Sequence, residues 1–259
     1  MNMIMKLDLK KNEAFKLRVT RLEHLVGTRI SLNCLSSAEA LSNLSFDWFF
    51  IDMEHTEIPE HQLSSILLAL SEKPSLVRVQ KNEDIYIKKA MDAGAAGVIV
   101  PKVSNMIDAK KAVLSFKMPP SGTRGIGWTR SNNFGHGLDN YLENIERSSL
   151  LVVQIEDSEG VENIKSILDV KGIDAVFVGP YDLSISLGIA NKFDSEKFKA
   201  ALDKIIEACK ENRMPLGIFE SNENRITKLK TSGFTFFCLS SDISFLINDA
   251  KRILVNSKE

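Results

Sequence analysis

The sequence predicts an α/β fold in which a single domain forms a (β/α)8 TIM barrel, and three observations carry that prediction. Eight short runs rich in β-branched and aromatic residues alternate with stretches of helical periodicity along 259 residues, a length typical of one such barrel. Several runs are apolar almost throughout, as in Trp48-Phe49-Phe50-Ile51 and Val176-Phe177-Val178, which fits parallel strands covered on both faces. No Gly-x-Gly-x-x-Gly follows the first run, which favours a closed barrel over an open dinucleotide-binding sheet.

Taken in order, strands are expected over Thr28–Leu32, Trp48–Asp52, Leu76–Val79, Gly97–Pro101, Leu151–Glu156, Ala175–Gly179, Leu216–Phe219 and Phe234–Leu239. Helices are expected between them, over Gln62–Ser71, Ile85–Asp92, Asp108–Ser115, Val161–Leu168, Ser195–Asn212 and Asn224–Lys230, with a last helix over Ile243–Val255. Such alternation implies right-handed crossovers between parallel neighbours. One stretch breaks the rhythm: Phe116–Gly137 is rich in Pro, Gly, Ser and Asn. Loops of that length in a compact domain tend to be functional, so it is expected on the active-site side. The whole chain, residues 1–259, reads as one domain.

Composition narrows the partners. With 44% hydrophobic and 26% charged residues the chain is globular in character, and a formal charge of -1 from 33 basic and 34 acidic side chains offers nothing to nucleic acid or an anionic membrane. Cys34, Cys209 and Cys238 are widely spaced and form no metal-binding or disulfide pattern. The stretch Met1–Lys11 is broken by lysines and Asp8, and no run reaches the length of a membrane span. A soluble, cytoplasmic protein is expected.

In a barrel of this kind, chemistry gathers at the C-terminal ends of the strands. Glu156 and Asp182 follow adjacent strands, where two carboxylates can share a hard divalent cation with water completing its shell. The competing reading has Asp182 capping a turn and Glu156 opening a helix. His55 follows the second strand in Asp52-Met53-Glu54-His55; imidazole is the side chain that titrates nearest neutral pH, which makes it the general-base candidate over a simple loop histidine. Arg78 is the one charge in Leu76-Val77-Arg78-Val79, and a guanidinium facing a barrel interior needs an anion. A substrate carboxylate, gripped in two-pronged fashion, or a structural Asp or Glu would serve. Lys102, after Pro101, offers a Schiff-base alternative that the carboxylate pair makes unnecessary. Arg124, in Ser121-Gly122-Thr123-Arg124-Gly125, is placed to meet an anion or a neighbouring chain.

These segments, together with Met91-Asp92-Ala93-Gly94-Ala95, Val153-Gln154-Ile155-Glu156 and Val178-Gly179-Pro180-Tyr181-Asp182, resemble the HpcH/HpaI aldolase family across roughly residues 13–250. The resemblance implies a phosphoenolpyruvate/pyruvate-type barrel and a class II aldolase. Such an enzyme cleaves or forms a 4-hydroxy-2-keto acid from pyruvate and an aldehyde through a metal-stabilised enolate. It implies that Glu156 and Asp182 hold Mg, Mn or Co, that Arg78 orients the pyruvoyl half, that His55 acts as base supported by Asp52 and Asp92, and that Gln154 lines the floor with Gly179 and Pro180. It also implies a homo-oligomer, a hexamer built as a trimer of dimers, with the 243–255 helix exchanged between subunits. A citrate-lyase-like enzyme acting on a CoA ester and a non-catalytic keto-acid-binding barrel are the competing functions.

Overall fold

The structure, a computed structural model, describes residues 9–70 and 73–258. Eight parallel strands, β1 (Leu25–Ile30), β2 (Trp48–Asp52), β3 (Ser75–Arg78), β4 (Gly97–Val100), β5 (Leu150–Ile155), β6 (Ala175–Val178), β7 (Leu216–Glu220) and β8 (Phe236–Ser241), close in chain order into a barrel. β8 pairs with β1 through Leu25 and Phe236, which is why the first strand begins earlier than the apolar run from Thr28 suggests.

The near-continuous apolar strands are explained by which side each residue faces. Phe49 and Ile51 join Val77, Val98 and Val153 in the shell between strands and helices, whereas Trp48 and Phe50 join Leu76, Ile99, Val152, Phe177 and Phe236 in a separate interior cluster. Burying each such side chain contributes about 1.5–3 kcal/mol. The interior is a plug of aromatic rings, with Phe50, Trp48 and Phe236 around Phe177 at centroid separations of 5.6, 6.5 and 5.8 Å. Gly27 makes room for it, because a Cβ there would lie 2.5 Å from the Trp48 carbonyl oxygen and 2.7 Å from its indole.

The helix Leu9–Thr20, which the sequence analysis does not anticipate, adds Phe15 and Val19 to this interior cluster. It closes the N-terminal end of the barrel and is tied down by Lys16, which donates to the Ser149 carbonyl at 2.7 Å and pairs with Asp174 at 2.7 Å. Further unanticipated helices span Leu35–Ser42, Leu138–Ser148 and Pro180–Ser186. The expected helix Val161–Leu168 is interrupted at Asn163, and the expected end of another at Ser71 lies outside the described residues, as does most of the N-terminal stretch Met1–Lys11.

The long loop runs from the end of the helix Met106–Phe116 to the helix Leu138–Ser148, with one 3-10 turn at Arg130–Asn132. It thus follows a helix rather than a strand, and it lies on the N-terminal face. The expected active-site-side position is corrected: helices run antiparallel to the strands, so whatever follows one starts at the opposite end of the barrel from the strand termini.

Candidate active site

A cavity of about 310 Å³ opens where the strands end, at the lower bound of ligand-sized pockets. His55, Arg78, Gln154, Gly179, Pro180 and Asp182 line it, as the sequence analysis expects; Arg29, Tyr181, Phe219, Ser221 and Ser244 line it as well. A larger cavity of about 700 Å³ lies outside the barrel, between the helices Glu60–Ala69 and Asp84–Asp92 and the loop near Phe134. It is lined by Glu60, His61, Lys89, Asp92 and Arg130 among apolar side chains, whereas the smaller cavity gathers Arg78, Gln154 and Asp182 from several strand ends and is the candidate site.

Asp52 and Arg78 stand opposite each other across the β2–β3 pairing. The Arg78 Nε donates to Asp52 Oδ1 at 3.0 Å and Nη2 donates to Oδ2 at 2.6 Å. Burial alone would push the Asp52 carboxyl up, but the guanidinium overrides it and holds the carboxyl below its ordinary value. The Arg78 guanidinium is in turn raised, since the carboxylate outweighs the burial that would lower it. Asp52 Oδ1 also accepts the backbone N–H groups of Glu54 and His55 at 3.0 and 3.2 Å, folding the chain back after β2. Asp52 therefore supports His55 through its backbone rather than its ring. The imidazole itself is half exposed at the rim, with Nε2 at 3.8 Å from Glu54 Oε2. Arg78 thus meets the structural carboxylate that is one of its two expected partners, and it still lines the cavity.

Glu156 is buried just beyond β5 and accepts only from neutral donors: the Lys102 backbone N–H at 2.8 Å and the Gln154 side-chain amide. Lys102 adopts φ 53, the left-handed region a non-glycine residue enters at a cost, and this turns its N–H onto the carboxylate. Burial, joined by the negative charge of Asp182, raises the Glu156 carboxyl against those two hydrogen bonds. Asp182 sits in the first turn of Pro180–Ser186, whose N-cap is Gly179 without any side-chain cap bond, so it does not cap that turn. Asp157, not Glu156, caps the helix after β5, accepting from Gly160 N at 2.6 Å. Both competing structural roles fall away. Glu54, to which the sequence analysis assigns no role, lies near the same charges: burial pushes its carboxyl up to about 7, with Glu156 and Asp52 adding and Arg78 opposing.

Oxygen donors carrying unneutralised negative charge suit a hard divalent cation. Among the described residues Glu156 has no cationic hydrogen-bond partner and the buried Gln154 Oε1 has no hydrogen bond, whereas Glu54 Oε2 stands 3.4 Å from Arg78 Nε. Among the described residues, no three His, Cys, Asp or Glu side chains close on one point. Glu156 and Asp182 fit as a two-carboxylate set.

Two expected site residues are elsewhere. Asp92 ends the helix Asp84–Asp92, which leads into the start of β4, and it lines the larger cavity. Burial raises its carboxyl against Arg124 and Lys88. It cannot support the His55 of its own chain, which lies at the other end of the barrel. Arg124 is buried in the loop, donating Nε to the Phe116 carbonyl at 2.7 Å and Nη1 to the Tyr141 hydroxyl at 3.0 Å, so it does not bind substrate in its own chain. Arg29 and Glu54 are the residues missed; both occupy alternate, inward positions on or just beyond a strand, a parity visible in the sequence.

Comparison with known proteins identifies the family and agrees with the fold. The chain is 32% identical over 249 residues to the hydroxypyruvate/pyruvate aldolase of Roseobacter denitrificans, covering 95% of this chain and 97% of that one. It is 33% identical to the 2-dehydro-3,6-dideoxy-6-sulfogluconate aldolase of Pseudomonas putida, covering 90% and 92%. A crystal structure of a family protein from Burkholderia cenocepacia J2315 superposes with a TM-score of 0.91 at 31% identity, over 95% of this chain and all of that one. Residues 30–249 match the family described as HpcH/HpaI aldolase/citrate lyase, and the chain belongs to that family.

Proposed function

We propose that this protein is a class II pyruvate aldolase, a carbon–carbon lyase that cleaves or forms a 4-hydroxy-2-keto acid from pyruvate and an aldehyde. The observation that carries the reading is that Arg78, fixed by Asp52, lines one cavity with Asp182 and Gln154, while Glu156, held by neutral donors alone, is buried behind Gln154 and feels the charge of Asp182. Glu156 and Asp182 would hold Mg, Mn or Co, which supplies Lewis-acid neutralisation of charge on the keto oxygen. Arg78, already oriented, binds the keto-acid carboxylate through its free end at little further entropic cost. Gln154 orients Glu156 and presents its unpartnered oxygen to the floor. Gly179 and Pro180 form the wall beside it.

In the cleavage direction, His55 takes the proton of the 4-hydroxyl, directly or through one water, as the C3–C4 bond breaks to release the aldehyde. C3 is then protonated to give pyruvate. The half-exposed ring suits this exchange with solvent.

The reading extends to a homo-oligomer, a hexamer arranged as a trimer of dimers. The C-terminal helix Asp242–Asn256 leaves Leu246, Ile247, Ile253, Leu254 and Val255 exposed, a face that a neighbouring subunit would cover or exchange. In such an assembly Asp92 serves a neighbour's site rather than its own, while Arg124 holds the loop beside it. The three cysteines are free, in keeping with a cytoplasmic setting.

The test is exchange of the pyruvate methyl protons into deuterium oxide, followed by NMR. Exchange is expected with Mn, is lost on chelation, and falls by about two to three powers of ten in Glu156→Ala. Exchange indifferent to both chelator and Glu156→Ala would falsify the assignment.

A further inference from the structure

The mouth of the barrel holds a second arginine whose donors the fold leaves unused. Arg29 points from β1 into the same cavity as Arg78. Its closest carboxylate is that of Asp52, yet Oδ1 already accepts Arg78 Nε and two backbone N–H groups, and Oδ2 accepts Arg78 Nη2 at 2.6 Å. Arg29 Nη1 stands 3.7 Å from Oδ2, beyond hydrogen-bond reach, and its buried Nε has no partner. The guanidinium lies over the Phe219 ring, 5.2 Å from its centroid, which fixes its plane without occupying its N–H groups. A cation held this way facing a cavity is a ready site for an anion.

Barrel order says which half of the substrate that anion belongs to. Arg78 ends β3, Gln154 is on β5, Glu156 directly after it and Asp182 in the helix after β6, whereas Arg29 is on β1, across Asp52 from Arg78, with Phe219 on β7, Ser221 directly after β7, and Ser244 in the helix after β8. The cavity therefore has a keto-acid side and, on the β7–β8–β1 side, a wall of one guanidinium, two serines and an aromatic ring. We infer that Arg29, with Ser221 and Ser244, is the specificity subsite for the aldehyde half of the substrate, and that this half carries a carboxylate or similar anionic group at its far end. The inference rests on the aldolase reading and names the acceptor class for it.

Aldol addition to pyruvate is compared for two four-carbon acceptors, succinic semialdehyde and butanal, which differ at the far end in charge. The unaltered enzyme should prefer the anionic one in kcat/KM. Arg29→Leu should cut that preference roughly 30- to 100-fold, the effect of losing a charged hydrogen-bond partner. Arg29→Gln, close in shape, should do the same and carries the test where Arg29→Leu fails to fold. Pyruvate methyl exchange needs no acceptor and is read in every variant as the report on the keto-acid side. No preference in the unaltered enzyme, or an Arg29 substitution that slows both acceptors alike, overturns the subsite. Absence of methyl exchange in the unaltered enzyme fails the aldolase reading itself, and the acceptor assignment with it.

Discussion

Gly179→Ala is a small change with a calculable effect on the carboxylate pair. Gly179 has φ -92, which alanine adopts freely, so backbone strain does not enter. What the added methyl meets is Glu156: its Cβ would lie 2.8 Å from Oε2, 2.9 Å from the Glu156 Cβ and 3.1 Å from Gln154 Nε2. Real Cβ atoms do not approach that closely, so the Glu156 side chain or the β6 terminus must move. Overpacking of this kind costs about 1–3 kcal/mol, and disturbing the groups that orient a ligand lowers metal affinity by about 10- to 100-fold. Titrating Mn into chelated enzyme while following pyruvate methyl exchange should show the half-activating concentration rising by that factor. Turnover at saturating metal should be partly restored. Gly125→Ala is the control, since a Cβ there meets nothing within 4 Å. A Gly179→Ala enzyme with an unchanged Mn requirement would mean that Glu156 is not a ligand, whatever its burial.

Glu54 gives the metal-free protein a specific pH dependence. Its carboxyl is raised from 4.5 to about 7, so the folded chain holds a proton that the unfolded chain has lost; the resulting stability is full below 4.5 and disappears as pH rises through about 7. In urea titrations with chelator present, Glu54→Gln should remove that slope and leave the protein more stable at pH 8 by about 1–3 kcal/mol; parallel slopes for both proteins would count against the placement. Lys102→Gly keeps the amide that holds Glu156 and relieves the left-handed φ of 53, so stability should rise by about 1 kcal/mol while metal-dependent exchange persists. Complete loss of exchange would instead bring back an amine mechanism at Lys102.

Where the sequence was legible, the reason was geometric. Strand ends can be read from where an apolar run stops, which singles out Asp52, Arg78, Gln154, Glu156 and Asp182, and of these Arg78, Gln154 and Asp182 line one cavity. The side of the long loop is equally legible, because a segment that follows Phe116 at the end of a helix begins at the N-terminal face. Asp92 is assigned from resemblance alone, and a resemblance between sequences does not say whether two residues meet within a chain or between chains; Arg124 is read from its glycine-rich loop, where an anion and a neighbouring chain are both open to it. Arg29 escaped because the first strand was started at Thr28; begun at Leu25, the alternation Leu25, Gly27, Arg29 turns the arginine inward. The helix Leu138–Ser148 buries Tyr141, Ile145 and Ser148 at helical spacing and was hidden only by the polar tract before it.

The aromatic plug beneath the cavity makes the site a blind alley. Trp48, Phe50, Phe177 and Phe236 fill the barrel interior below it, with Phe15 and Val19 of the N-terminal helix behind them, so the cavity is closed on that side. In the proposed mechanism, hydrogen taken up by the exposed imidazole at the rim is open to bulk water. An isotope introduced at the reacting carbon is then expected to wash out rather than be returned.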